Sequence, residues 1–237
     1  MKKREKIYEG KAKIVYTTDD PTFFIIFFKD DATAFNAVKR GTIVSKGIYN
    51  NSISTRLLQL VESEGVPTHF VRKLSDREML VKNLEIIPVE VVLRNIVAGN
   101  LAIRMGVEEG RRLPHTIVDL HLKNDELGDP LFNRDTITAF EIATAAELDW
   151  MIEKSHLVNA ILSKFFDNKE IDLVDFKLEF GRCPAEGGKL LLADEITPDG
   201  CRLWEKGTGR KMDKDRFRRD LGDVEATYQE VERLIAE

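Results

Sequence analysis

The sequence predicts an α+β chain in which antiparallel hairpins alternate with amphipathic helices. Three stretches carry that reading. KIYEGKAKIVYTT at 6–18 reads as two strands about a turn at Glu9-Gly10. Thr144 to Glu147 is a capping-box pattern, followed by a helical apolar stripe to about Phe166. From Val174 to Phe180 apolar and charged residues alternate strictly; Pro184 and Gly187-Gly188 then turn the chain, and Lys189 to Ala193 runs back.

Composition narrows the function classes. At 237 residues, 43% apolar and 32% charged, the chain can bury a substantial core under a charged surface. A net charge of −5 argues against a nucleic-acid binder. FFIIFF at 23–28 is strand-length, so no membrane span is expected. The basic start MKKREKIYEGK lacks a following apolar region, so no signal peptide is evident. Two cysteines, Cys183 and Cys201, without CxxC spacing read as reduced thiols of a cytoplasmic protein. His115 and His121 are spaced for neither a helical pair nor a common zinc motif.

In chain order, Phe23 to Lys29 reads as a buried strand and DDATAFN at 30–36 as a polar turn. Ser45 is a candidate N-cap for a helix burying Ile48, Ser52, Leu57, Leu60 and Val61 and ending at Gly65. Short strands follow near 68–71 and 78–81. In LEIIPVEVVL at 84–93, Pro88 cannot donate to a ladder, so the run reads as broken there. That break predicts a crossover between an N-terminal domain, 1–87, and a C-terminal one, 88–237, with Lys82 and Glu85 beside a base pocket; a kinked edge strand is the alternative. Arg94 to Arg104 reads as a turn and a short helix, 113–133 as irregular, and Asp213 as the cap of a final helix burying Phe217, Leu221, Val224, Tyr228, Val231 and Ile235.

The central hairpin carries the chemistry. If its strands pair, Glu179 and Asp194 meet at one end with Lys177 on the same face, a set suited to Mg²⁺ bridging phosphates. On the alternation alone, a half-exposed strand with a solvated charged face is the plainer reading. Gly10 with Lys11 and Lys13 can lay backbone N–H groups and two cations over a polyphosphate, although a lone glycine in a hairpin is commonplace. Arg94 offers a fork for phosphate, and Gly99-Asn100 opens a helix whose N–H groups suit anions; capping by Asn100 is the plainer reading.

YEGKAK (8–13), DATAFN (31–36), VKNLEIIPVEVVLRNIVAGNL (81–101), LKNDELGDP (122–130), DFKLEFG (175–181), DEITPDGCRLW (194–204) and MDKDRFR (212–218) resemble, in order, the motifs of the phosphoribosylaminoimidazole-succinocarboxamide synthase (SAICAR synthetase) family. The resemblance implies a two-lobed α+β fold, with a β-rich, kinase-like N-terminal nucleotide lobe and a larger C-terminal lobe. It implies ligation of L-aspartate to a carboxyaminoimidazole ribonucleotide, with ATP and Mg²⁺. It carries over Gly10, Lys11, Lys13, Lys82 and Glu85 to the nucleotide, and Glu179 and Asp194 to the metal. Lys177 and Asp175 become catalytic groups, and Arg94, Asn100 and Arg202 phosphate ligands. Asp175 and Asp199 would contact the imidazole, and Lys123 and Asp129 the substrate. Asn100 stands where the family usually has serine; its amide can still donate to phosphate. Arg210, Lys211 and Lys214 are candidates for L-aspartate by charge and position. A homodimer or higher homo-oligomer is expected, with neither nucleic acid nor membrane as partner. A kinase acting on a hydroxyl would want an HRDxxxxN run, which the chain lacks. A binding module without turnover would need fewer charges converging on the phosphates.

Overall fold

A computed structural model describes residues 1–34 and 38–236. The N-terminal part contains β1 (Lys3–Glu9), β2 (Lys13–Thr18), β3 (Phe23–Phe28), β4 (Asp31–Ala34), β5 (Lys39–Thr42), α1 (Lys46–Ser63), β6 (Phe70–Lys73) and β7 (Glu78–Lys82). Five of these strands form an antiparallel sheet in the order β1-β2-β3-β7-β6, while β4 and β5 pair separately. The C-terminal part comprises β8 (Glu85–Ile96), α2 (Asn100–Met105), β9 (Arg112–Leu122), β10 (Leu131–Phe132), α3 (Arg134–Ala139), α4 (Ala145–Asp167), β11 (Ile171–Cys183), β12 (Lys189–Ala193), β13 (Cys201–Glu205), α5 (Asp215–Arg218) and α6 (Val224–Ala236). Its six-stranded sheet runs β10-β9-β8-β11-β12, with β13 also on β11. The mixed α+β architecture with antiparallel sheets is the expected class.

Helix α1 packs on β3, β6 and β7, α4 covers β8 and β11, and α6 lies against α1. One apolar core runs through these layers, from Phe28 and Leu57 to Phe166, Phe180 and Val231. The sheets are stitched by backbone bonds: His69 N–H donates to Leu192 O at 2.9 Å and Leu192 N–H to Pro67 O at 2.9 Å.

Several expectations need correction. The change of sheet falls at 83–84, and β8 continues through Pro88 between β9 and β11. Pro88 fits because the β8–β11 ladder shifts register between Leu178 and Phe180, so its missing N–H falls at an irregularity. Pro88 O still accepts from Lys123 N at 3.0 Å. Arg94 lies within β8 rather than in a turn. The stretch 113–133 is largely strand: Pro114 sits opposite the β8–β9 register shift between Arg94 and Ile96. Residues 31–34 pair as β4 instead of turning, while Phe35 and Asn36 lie outside the described residues.

Ser45 adopts a left-handed conformation, φ 62°, without a side-chain cap bond. Asp30 caps α1 from a distance, its Oδ1 accepting from Gly47 N at 2.9 Å while Arg77 holds both its oxygens. Within α1 the buried stripe includes Ile53, Leu57, Leu58 and Val61, whereas Ile48, Ser52 and Leu60 are half-buried. Asp213 accepts from Leu203 N at 2.9 Å and Asp215 N at 2.7 Å, so it serves β13 and the head of α5 instead of the final helix. Gly222 and Asp223, both at positive φ, separate α5 from α6 and leave Leu221 exposed; Tyr228, Val231 and Ile235 are buried as expected.

The Thr144–Glu147 capping box is present, and Glu147 also takes a two-pronged contact from Arg182 on β11, at 2.5 and 3.0 Å. The Arg182 hydrogen bonds outweigh burial and, with the Thr144 bonds, hold the Glu147 carboxyl at about 2, against an ordinary 4.5. The unfolded chain therefore binds a proton that the folded chain does not, and this stabilisation is lost as pH falls from about 5 toward 2. Glu147→Gln is expected to cost about 1–2 kcal/mol at pH 7, the surface setting of Arg182 limiting the value. Urea unfolding between pH 7 and pH 3 should show the variant and the parent converging.

Candidate active site

The charged face of β11 forms the floor of a cavity of about 520 Å³ between the β1–β2 turn, β8, β9 and the 194–202 segment. Asp175 and Glu179 are buried, at 3% and 4% exposure, which excludes the solvated-face alternative. The register Glu179↔Ala193 brings Asp194 next to Glu179, as the hairpin reading required.

Ammonium groups hold these carboxylates together. Lys177 Nζ contacts Glu179, lies 2.9 Å from Glu90 Oε1 and reaches Asp194 Oδ2 at 3.7 Å. Lys123 Nζ meets Glu179 Oε1 at 2.8 Å. Lys13 Nζ contacts Asp194 and lies 2.8 Å from Glu195 Oε1. Four carboxylates thus face three ammonium groups, and one negative charge is left over. Burial alone would lower the Lys177 ammonium, but Glu179, Asp194 and Glu90 more than offset it and hold it well above the usual lysine value. Burial would likewise raise the Asp194 carboxyl; Lys13, Lys177 and Lys123 outweigh it and keep Asp194 ionised.

A second cluster lies toward β8 and β13. Arg94 is buried between Asp119 at 2.7 Å and Asp175 at 3.0 Å. Arg202 spans Asp175 at 2.9 Å and Asp215 at 3.0 Å, and Arg218 meets Asp215 at 2.6 Å. Burial raises the Asp175 carboxyl despite its two arginines. Gly99 lets Arg202 approach: its φ is +52°, and a Cβ there would meet Arg202 Nη2 at 2.5 Å. Asn100 follows into the cavity wall, while the Gly99 N–H is not free, donating to Glu109 Oε1 at 2.8 Å.

Asp199 also lines the cavity, but its oxygens are engaged: Lys46 Nζ and Tyr228 Oη each lie 2.6 Å away. Lys214 adds a cation to this wall, and burial, partly countered by Asp199, lowers its ammonium. At the mouth, Lys11 Nζ reaches Asp125 Oδ1 at 2.6 Å. Asp129 shares that loop and accepts from Asn124 N at 3.0 Å.

The cavity thus gathers Gly10, Lys11, Lys13, Arg94, Asn100, Lys123, Asp129, Asp175, Lys177, Glu179, Asp194, Asp199 and Arg202. The side chains of Lys82 and Glu85 do not line it: Lys82 pairs with Glu186 at 2.7 Å and Glu85 is exposed. Of the three candidates for L-aspartate, Arg210 is engaged with Glu205 and Glu230, Lys211 lies over the Trp204 ring, and only Lys214 faces the cavity. Sequence reasoning missed Glu90, Lys46, Tyr228, Asp215 and Arg218. Glu90 had a signal, an acid inside an apolar run; Lys46 and Tyr228 had none beyond their helices.

The family model for SAICAR synthetase matches residues 6–235. The chain belongs to the SAICAR synthetase family. A phosphoribosylaminoimidazole-succinocarboxamide synthase of Magnetococcus marinus is 55% identical over 235 residues, covering 99% of this chain and 97% of the relative. The crystal structure of the synthase from Ehrlichia chaffeensis superposes with a TM-score of 0.96 at 46% identity, covering 98% of each chain. A SAICAR synthetase solved in complex with ADP gives a TM-score of 0.92 at 42% identity, covering 96% of each chain.

Lys46 is fully buried against Asp199. Lys46→Met strands that carboxylate and is expected to cost about 3–5 kcal/mol in urea unfolding. Adding Asp199→Asn to the same protein should recover part of the loss, because the amide needs no counter-charge.

Proposed function

We infer that the chain is an ADP-forming carbon–nitrogen ligase of purine biosynthesis. It joins L-aspartate to the carboxylate of 5-amino-1-(5-phosphoribosyl)imidazole-4-carboxylate, converting ATP to ADP and phosphate and releasing SAICAR. The observation that carries this reading is membership of the family over 6–235, with the family-matched Lys177, Glu179 and Asp194 converging on one cavity.

A carboxylate is a poor electrophile, so its activation is assigned to phosphorylation. One carboxylate oxygen takes the γ-phosphoryl group of ATP. The aspartate amine then attacks the acyl carbon, phosphate leaves with that oxygen, and the nitrogen loses a proton. In this scheme Lys11 and Lys13 hold the ATP phosphates beneath the β1–β2 turn, with Gly10 allowing close approach, and Lys177 offsets charge on the group in transfer. Arg94, Asn100 and Arg202 hold the ribonucleotide phosphate. Asp175, Asp199, Lys123 and Asp129 orient the imidazole and its substituents. Lys214 supports recognition of L-aspartate, being a cation on that wall. Keeping the mouth covered protects the acyl phosphate from water.

Glu179 and Asp194 fit Mg²⁺ by their chemistry. They are two carboxylates that one ammonium bridges. Such a set suits a cation that completes its coordination with phosphate oxygens. When bound, the ion neutralises phosphate charge.

The division into a nucleotide lobe and a substrate lobe is part of this proposal, supported by the separate sheets, which change at 83–84 rather than at the expected 87–88. So is a cytoplasmic setting, supported by two free, buried cysteines; no helix among the described residues is long and apolar enough to cross a membrane. A homodimeric or larger assembly is likewise part of the proposal, resting on the family resemblance.

The deciding experiment follows ADP and SAICAR with Mg-ATP, the ribonucleotide and L-aspartate, omitting each in turn. Stoichiometric ADP and SAICAR only with all three is the expected result; no ADP under any combination would sink the ligase reading. Glu179→Gln should lower turnover by at least about 100-fold with unchanged circular dichroism. Near-normal turnover at ordinary Mg²⁺ would remove Glu179 from the metal site.

A further inference from the structure

We propose that His69 is a positioning residue that fixes the Asp194 peptide and so aims its carboxylate at the metal position. The inference rests on the reading of Asp194 as a metal ligand. His69 is buried at 4% exposure, and its Nε2 lies 3.0 Å from Asp194 O. A carbonyl oxygen only accepts, so Nε2 carries the hydrogen.

The bond acts at a particular point in the chain. Asp194 directly follows β12 with φ +60°, a left-handed conformation that side-chain-bearing residues adopt uncommonly. That bend takes the chain off the β11 ladder just after the pair Glu179↔Ala193. It leaves the carboxylate in contact with Lys13 and in reach of Lys177. Upstream, Leu192 is held by Pro67 and His69 main-chain groups; downstream, Ile196 N–H donates to Ser54 Oγ at 3.3 Å. The imidazole fills the interval between these anchors. His69 is itself fixed to the other sheet, since its carbonyl accepts from Lys82 N at 2.8 Å. The side chain therefore refers the position of Asp194 to both sheets at once.

A buried histidine that merely fills space would be replaceable by leucine with a loss of stability alone. A positioning histidine is replaceable by a residue that keeps a donor at Nε2. Glutamine, whose amide nitrogen reaches a similar distance, is that residue. Mn²⁺ binding in the presence of ADP, read by electron paramagnetic resonance, separates the two cases without depending on turnover. His69→Leu is expected to weaken Mn²⁺ about tenfold or more, the usual scale for losing a group that orients a ligand. The Mg²⁺ concentration for half-activation should rise in parallel, with KM for L-aspartate unchanged. His69→Gln should stay within about threefold of the parent.

A folded His69→Leu protein with parental Mn²⁺ affinity would overturn the proposal, as would equal losses in the leucine and glutamine variants. Asp194→Asn is the reference. If it too binds Mn²⁺ like the parent, the metal reading itself fails; if it alone loses binding, only the positioning role fails. Should the leucine variant not fold, the ¹⁵N spectrum of the histidine-labelled parent decides. A neutral ring protonated at Nε2 is expected, and the Nδ1–H tautomer would overturn the assignment.

Discussion

Glu179 and Asp194 are neighbours because β11 and β12 pair, and two buried carboxylates at that distance repel unless a cation stands between them. Lys177 supplies it from the same strand as Glu179, two residues away and on the same face. Lys13 and Lys123 complete the compensation from the N-terminal sheet and from the segment after β9. The arrangement of both sheets about the cavity follows from that need. Each contributes a lysine to a carboxylate cluster centred on β11, and neither could bury its charges without the other.

The same ammonium groups suit the chemistry. Phosphoryl transfer gains most from fixed charges that need no reorganisation when negative charge shifts from one oxygen to another. The lysines already lie in the cavity, held by carboxylates. A polyanion with its own cation would meet both signs of charge in place.

Much of this was legible in the sequence wherever a local rule fixed the outcome. Alternation from Val174 to Phe180 placed Asp175, Lys177 and Glu179 on one face, and the turn residues fixed the return of β12. The capping box placed the start of α4. What failed was local reasoning about features that distant residues decide. Pro88 read as a break and 113–133 as irregular, yet Pro88 and Pro114 each lie where a partner strand shifts register, which only the ladder reveals. Ser45 read as a cap, but Asp30 performs that task from the β3–β4 connection, 17 residues before Gly47. Arg94 read as part of a turn; it lies in β8, buried between two aspartates, one of them 81 residues away. Lys46 carried no signal because its partner, Asp199, lies 153 residues on.

Those separations determine when the cavity comes into being as the chain folds. Lys13 and Asp194 are 181 residues apart, Lys11 and Asp125 114, Ser52 and Glu232 180. Hairpins and helices close short loops and can form early, whereas contacts of such span form only after the intervening chain has already collapsed. The cavity is therefore among the last features to assemble. With both sheets formed but undocked, Lys13 would lie in water on one surface and the carboxylates it meets, Asp194 and Glu195, on another. Closure of the charged cavity then marks completed folding rather than the formation of either sheet.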